Sequence, residues 1–102
     1  MNNVNPRIQK AKKILESKSV KETAQILKVL CGPSRFKIVV LLKYFPSGLT
    51  VTQISEMLGA SLSRISHQLK ILRKHKMVEG KGRNREVLYT LHNHHIRKHL
   101  SF

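Results

Sequence analysis

Apolar residues recur at helical spacing through most of the chain and then switch to a period of two. From Pro6, with proline in a first turn, Ile8, Ala11, Ile14 and Leu15 fall on one face, with Arg7, Lys10, Lys12 and Lys13 around the rest. The break at Ser17-Lys18-Ser19 ends this helix. Ser19 and Glu22 have the Ser-x-x-Glu spacing of a capping box and predict a second helix whose apolar face is Val20, Ala24, Leu27 and Leu30, with Cys31 beside it. Gly32-Pro33 breaks the chain again, and Pro33 suits the first turn of a third helix, from Ser34 to about Tyr44. Ile38 to Leu42 alone has the look of a buried strand, but Arg35, Lys37 and Lys43 around it favour a helix. After the Phe45-Pro46-Ser47-Gly48 turn, Thr50 and Gln53 form another capping-box pattern ahead of Val51, Ile54 and Leu58. Gly59 stands where a left-handed C-terminal cap belongs, and Ser61 caps the next helix, with Leu62, Ile65, Leu69 and Leu72 as its buried side.

Past Lys76 the pattern alternates. Met77 to Lys81 reads as a strand, Gly82-Arg83-Asn84 as a turn, and Glu86 to Leu91 as a second strand with Val87, Tyr89 and Leu91 on one side. Asn93 then caps a short last helix running toward Leu100. Two helices joined by a tight glycine-containing turn form a helix-turn-helix, and a basic hairpin directly after them makes the winged form. The expectation is a mainly α fold with a small β-hairpin: five to six helices and a two-stranded wing in a single domain over residues 1–102. Within it, 1–18 is a dimerisation helix, 50–74 the helix-turn-helix, 77–91 the wing and 93–102 a short C-terminal helix.

Charge narrows the choice of partner. The chain of 102 residues carries 20 Lys and Arg against five acidic residues, all glutamate, for a formal net charge of +15. Such a surplus repels itself unless a polyanion neutralises it, which makes nucleic acid the first partner to test. The longest apolar run, Ile38 to Leu42, is far too short to span a bilayer, and the N-terminus lacks the apolar core of a secretion signal. The single cysteine, Cys31, excludes an intrachain disulfide, and nothing argues against a reducing cytoplasm. Five scattered glutamates leave little for carboxylate-based hydrolysis, and Ser63, Ser66 and His67 have no acidic orienter beside them. No enzyme activity, cofactor or metal is expected.

At 100° per residue, the side of the last long helix opposite its leucines carries Ser63, Arg64, His67, Lys70 and Lys74, flanked by Ser66 and Gln68, with Ile71 an apolar exception. A helix in the major groove needs such groups at base edges: arginine for guanine, glutamine for adenine, serine for either. Ser63, Arg64, His67 and Gln68 are the candidates for base readout, and Lys70 and Lys74 for phosphates. Ser61 opens the helix, whose free N–H groups suit a phosphate as well. Arg83, Asn84 and Arg85 at the hairpin tip can reach a minor groove or its backbone.

The order and spacing of these segments resemble the ArsR/SmtB family of winged-helix repressors, from about Ile26 to Ile96. Leu27 to Ile38 is similar to that family's LKALADPTRLRIL stretch, and Leu58 to Leu72 to its LGLSQSTVSHHLKVLR recognition segment, with Ser66 to Lys70 the most specific piece. Met77-Val78 and Leu88 to Leu91 resemble the wing strands. The resemblance implies a homodimer on an inverted repeat of double-stranded DNA, released by an inducer of unknown kind. It also implies an interface built from the outer helices, here Ile8, Ala11, Ile14 and Leu15. Thr50 and Thr52 replace the Cys-x-Cys pair of arsenic- and cadmium-type members. Asn93-His94-His95 replaces the Asp-x-His of zinc-type members. His95 and His99 are left as a lesser metal pair, with His92 and His94 nearby. The competing reading of the same charge is a nonspecific basic or architectural nucleic-acid binder, which a specificity ratio separates from a repressor.

Overall fold

Ser17, not Ser19, caps the second helix, and the five helices among the described residues follow from such local signals. In the computed structural model, which describes residues 5–92 and Ile96, the order is α1 (Pro6–Leu15), α2 (Lys18–Val29), α3 (Pro33–Tyr44), α4 (Val51–Leu58), α5 (Leu62–Lys74), β1 (Val78–Arg83) and β2 (Glu86–Leu91). The short final helix expected from Asn93 lies outside the described residues, apart from Ile96, which is buried. Ser17 Oγ accepts from the Val20 amide at 3.3 Å, so Ser19 sits inside α2 and its carbonyl accepts from Thr23 Oγ1 instead. A cap hydroxyl available two residues earlier pre-empts the Ser19–Glu22 box.

The core is one cluster around Ile38, Val39, Leu42, Ile54, Ile65, Leu69, Leu72 and Val78, closed on one side by Ile26, Val29 and Leu30 of α2 and its C-cap. The inward face of α2 therefore differs from the expected one. Ala24, Leu27 and Cys31 are exposed and Val20 is half-buried, while only Leu30 of the expected face is buried. α2 has apolar residues on two sides, and packing against the rest of the fold, not periodicity, chooses between them. Ile71 is half-buried against the core and not an exception facing solvent. Ile38 to Leu42 is helical, as its basic flanks require.

Two devices fix the wing. α5 ends in a pair of bonds, Lys76 N–H to the Arg73 carbonyl (3.0 Å) and Met77 N–H to the Leu72 carbonyl (2.9 Å), with Lys76 left-handed at φ 57°. This is a Schellman ending, and buried Met77 and Leu72 bring the two sides of it into the core. β1 and β2 pair antiparallel from Val78↔Leu91 to Arg83↔Glu86, leaving Asn84 and Arg85 as a two-residue loop with Asn84 at φ 60°. The turn lies slightly later than the Gly82-Arg83-Asn84 expected. On the other edge of β2, Leu49 and Tyr89 exchange both backbone bonds, at 2.9 and 2.8 Å. Gly48 makes that approach possible: φ is +100°, and a Cβ there would lie 2.8 Å from Leu88 Cγ and 2.9 Å from the Tyr89 carbonyl oxygen. Tyr89 and Leu91 pack on the core, whereas Val87 is exposed, beyond the point where the hairpin leaves the body.

Candidate nucleic-acid interface

The surface that could meet a nucleic acid is built by α4, a tight turn and α5. Thr50 Oγ1 accepts from the Gln53 amide (3.2 Å) while Gln53 Oε1 accepts from the Thr50 amide (2.9 Å), so both halves of the capping box are present. Gly59 closes α4 in the left-handed conformation at φ 64°. Ser55 Oγ donates to the Ala60 carbonyl across the turn, and Ser61 Oγ then caps α5 by accepting from the Arg64 amide at 3.1 Å. Ile54, Ile65, Leu69 and Leu72 bury one side of the pair, which leaves the opposite side of α5 facing outward.

Ser61, Ser63, Arg64, Ser66, His67, Lys70 and Lys74 are all exposed. Ser63, His67, Lys70 and Lys74 form a line opposite the core, by the helical period. Arg64 leans to one flank, where its Nη2 donates to Ser34 Oγ at 3.2 Å. Gln68 is placed differently from the sequence expectation. It is half-buried, and its Oε1 accepts from Arg35 Nη1 at 3.0 Å. Its angular position lies near the core side, so it serves as a link to α3 and no longer stands among the outward-facing groups. Leu62, expected in the core, is 53% exposed. As the first residue of α5 its side chain leans back beyond the helix start, past the edge of the core.

Arg35 is the residue the sequence pattern does not reveal. Its Nε donates to the Val29 carbonyl at 2.6 Å, and the same guanidinium reaches Gln68 on α5. A Cβ on Gly32 would sit 2.9 Å from the guanidinium carbon, so the glycine lets the planar group lie against the backbone. One side chain thereby ties the end of α2, the start of α3 and the middle of α5. Pro33-Ser34-Arg35 was legible as a helix start, but nothing local shows where a long side chain ends.

At the wing tip Arg83, Asn84 and Arg85 are exposed. At the wing base His92 Nε2 lies 3.0 Å from Glu79 Oε1. His75 stands at the end of α5, with Nδ1 3.5 Å from Gln25 Nε2. His94, His95 and His99 lie outside the described residues. On the far side α1 has no buried residue: Ile8, Ile14 and Leu15 are 49, 52 and 66% exposed and Ala11 is exposed too.

Residues 32–79, from the α3 N-cap to the first part of the wing, match the model of the bacterial regulatory proteins of the arsR family. The chain is also 35% identical over 82 residues to the HTH-type transcriptional regulator NmtR of Mycobacterium tuberculosis, covering 80% of this chain and 67% of that one. The chain belongs to the arsR family. Solved structures agree with the fold of this arsR-family protein. The transcriptional regulator HlyU of Vibrio vulnificus superposes with a TM-score of 0.74 at 26% identity, covering 86% of this chain and 88% of HlyU. The transcriptional repressor PagR of Bacillus anthracis superposes with a TM-score of 0.65 at 32% identity, covering 74% and 84%. The fold is a winged helix-turn-helix, and this arsR-family protein is a DNA-binding transcriptional regulator.

Proposed function

We propose that this chain is a repressor that binds an inverted repeat as a homodimer in the cytoplasm, with α5 of each protomer in a major groove. The observation that carries the reading is the outward line of Ser63, His67, Lys70 and Lys74 on α5, beside a basic wing anchored to the same body. Ser63, Arg64, Ser66 and His67 are the base-reading groups, while Lys70, Lys74, Arg83 and Arg85 hold phosphates, which position without specifying sequence. Asn84 at the tip and Ser61 at the helix start are further backbone contacts. Gln68 acts through Arg35 by fixing the rotation of α5. The exposed apolar residues of α1, with Leu27 of α2, supply the dimer contact. PagR is by its name a repressor, and the +15 charge supplies the attraction to DNA that any such protein needs.

Thr50 cannot stand in for a thiolate at the site that arsenic-type relatives use, because its hydroxyl is committed to the α4 cap. The reading therefore includes no metal on α4. Selection of bound fragments from random DNA, followed by titration at several salt concentrations, tests the proposal. The expected result is a two-fold symmetric consensus bound at least 10³ times more tightly than unrelated DNA. Equal affinity for every sequence, with the same salt slope, overturns it in favour of a nonspecific basic binder.

A further inference from the structure

Leu62 is the one large apolar side chain exposed in the first turn of α5, at 53% among Ser61, Ser63 and Arg64, all exposed. In a helix-turn-helix the N-terminal residues of the second helix are those that approach base edges. In the major groove the apolar feature on offer is the C5-methyl of thymine. Ser61 and Gly59 set the side chain's direction: the cap bond at 3.1 Å fixes the helix start, and the left-handed glycine turns the chain sharply before it. Leu62 is more than half exposed, whereas Ile65, Leu69 and Leu72 on the core side of α5 are buried, at 0, 1 and 0% exposure.

We infer that Leu62 is a specificity residue that reads the methyl group of a thymine in each half-site. The inference rests on the proposed major-groove placement of α5 and adds a base identity to it. A methyl transferred from water to an apolar contact contributes about a four-fold change in affinity. Ser63 and Arg64 beside it supply hydrogen bonds, so the first turn combines a methyl contact with polar readout.

The test starts from the consensus selected with the intact protein. Each thymine of one half-site is replaced in turn by deoxyuridine, which removes the methyl and nothing else. Wild type and Leu62→Ala are titrated against each duplex, with the salt slope measured in parallel. The expected result is one thymine whose replacement weakens wild type about four-fold and leaves Leu62→Ala unchanged. The salt slope stays the same for both proteins, because no phosphate contact is lost. If every deoxyuridine duplex binds wild type as well as the parent, or if Leu62→Ala loses the same factor as wild type, Leu62 does not read a methyl. A selection that yields no consensus removes both this inference and the repressor reading, whereas a consensus with silent methyls removes this inference alone. Because the side chain is exposed, circular dichroism and the melting temperature of Leu62→Ala should match wild type.

Discussion

Arg35 shows how the placement of α5 depends on a side chain that belongs to another helix. Replacing it with alanine removes donors from the Val29 carbonyl and from Gln68, with an expected loss of about 1–3 kcal/mol in urea unfolding. Arg35→Lys should recover little of this, because an ammonium lacks the planar fork that serves both acceptors at once. Gln68→Ala should then weaken binding to all DNA sequences by a similar factor, since it loosens α5 without removing a base contact; a change confined to one base pair would return Gln68 to the base-reading set. Lys76 offers the opposite sign. A lysine held at φ 57° is strained where glycine is at ease, so Lys76→Gly should stabilise the fold by up to about 1 kcal/mol, read as a higher melting temperature. The caps at Thr50, Gly59 and Ser61 were plain in the sequence because each acts on neighbours within a few residues. Arg35 and Leu62 were not, because their placement depends on elements distant in the chain, and Lys76 was not, because a lysine carries no sign of the left-handed cap that a glycine would announce.

At the level of elements, periodicity found every described helix and both strands but misjudged which side of α2 turns inward. That helix offers two apolar stripes, and the choice is made by α3 and the rest of the core, which no window of sequence contains. The wing was legible as a hairpin, yet its attachment was not: the Leu49–Tyr89 bridge joins segments far apart in the chain. Gly48→Ala tests that attachment. The added Cβ meets Leu88 and the Tyr89 carbonyl at a positive φ, so a destabilisation of about 1–3 kcal/mol is expected, with faster hydrogen exchange at the Leu49 and Tyr89 amides. Gly59→Ala, at a similar φ but in open space, should cost only about 1 kcal/mol. Lys70→Ala or Arg85→Ala should each lower the salt slope of DNA binding by about 1, across all sequences.

For the molecule as a whole, shape carries information that composition did not. The radius of gyration is 17.6 Å and the extents are 63 × 23 × 21 Å, against about 13 Å expected for a compact domain of this length. α1 has no buried residue and its apolar stripe is uncovered, which is the surface that the proposed dimer would use. Leu15→Glu together with Leu27→Glu should convert a dimer in sedimentation at micromolar concentration to a folded monomer with unchanged helicity; a wild-type chain that sediments as a monomer contradicts the dimer. The two-stranded wing has a further consequence, for solubility. β2 has Leu49 along part of its outer edge, but among the described residues β1 has no strand neighbour on its own, and an open strand edge is a template for pairing with other copies. Lys81 and Arg83 are exposed along β1, and the basic side chains of two such edges brought together would repel. The basic residues of the wing thus guard the molecule against edge-to-edge aggregation, and Lys81→Thr with Arg83→Thr should leave a protein that folds alone yet precipitates when concentrated without DNA.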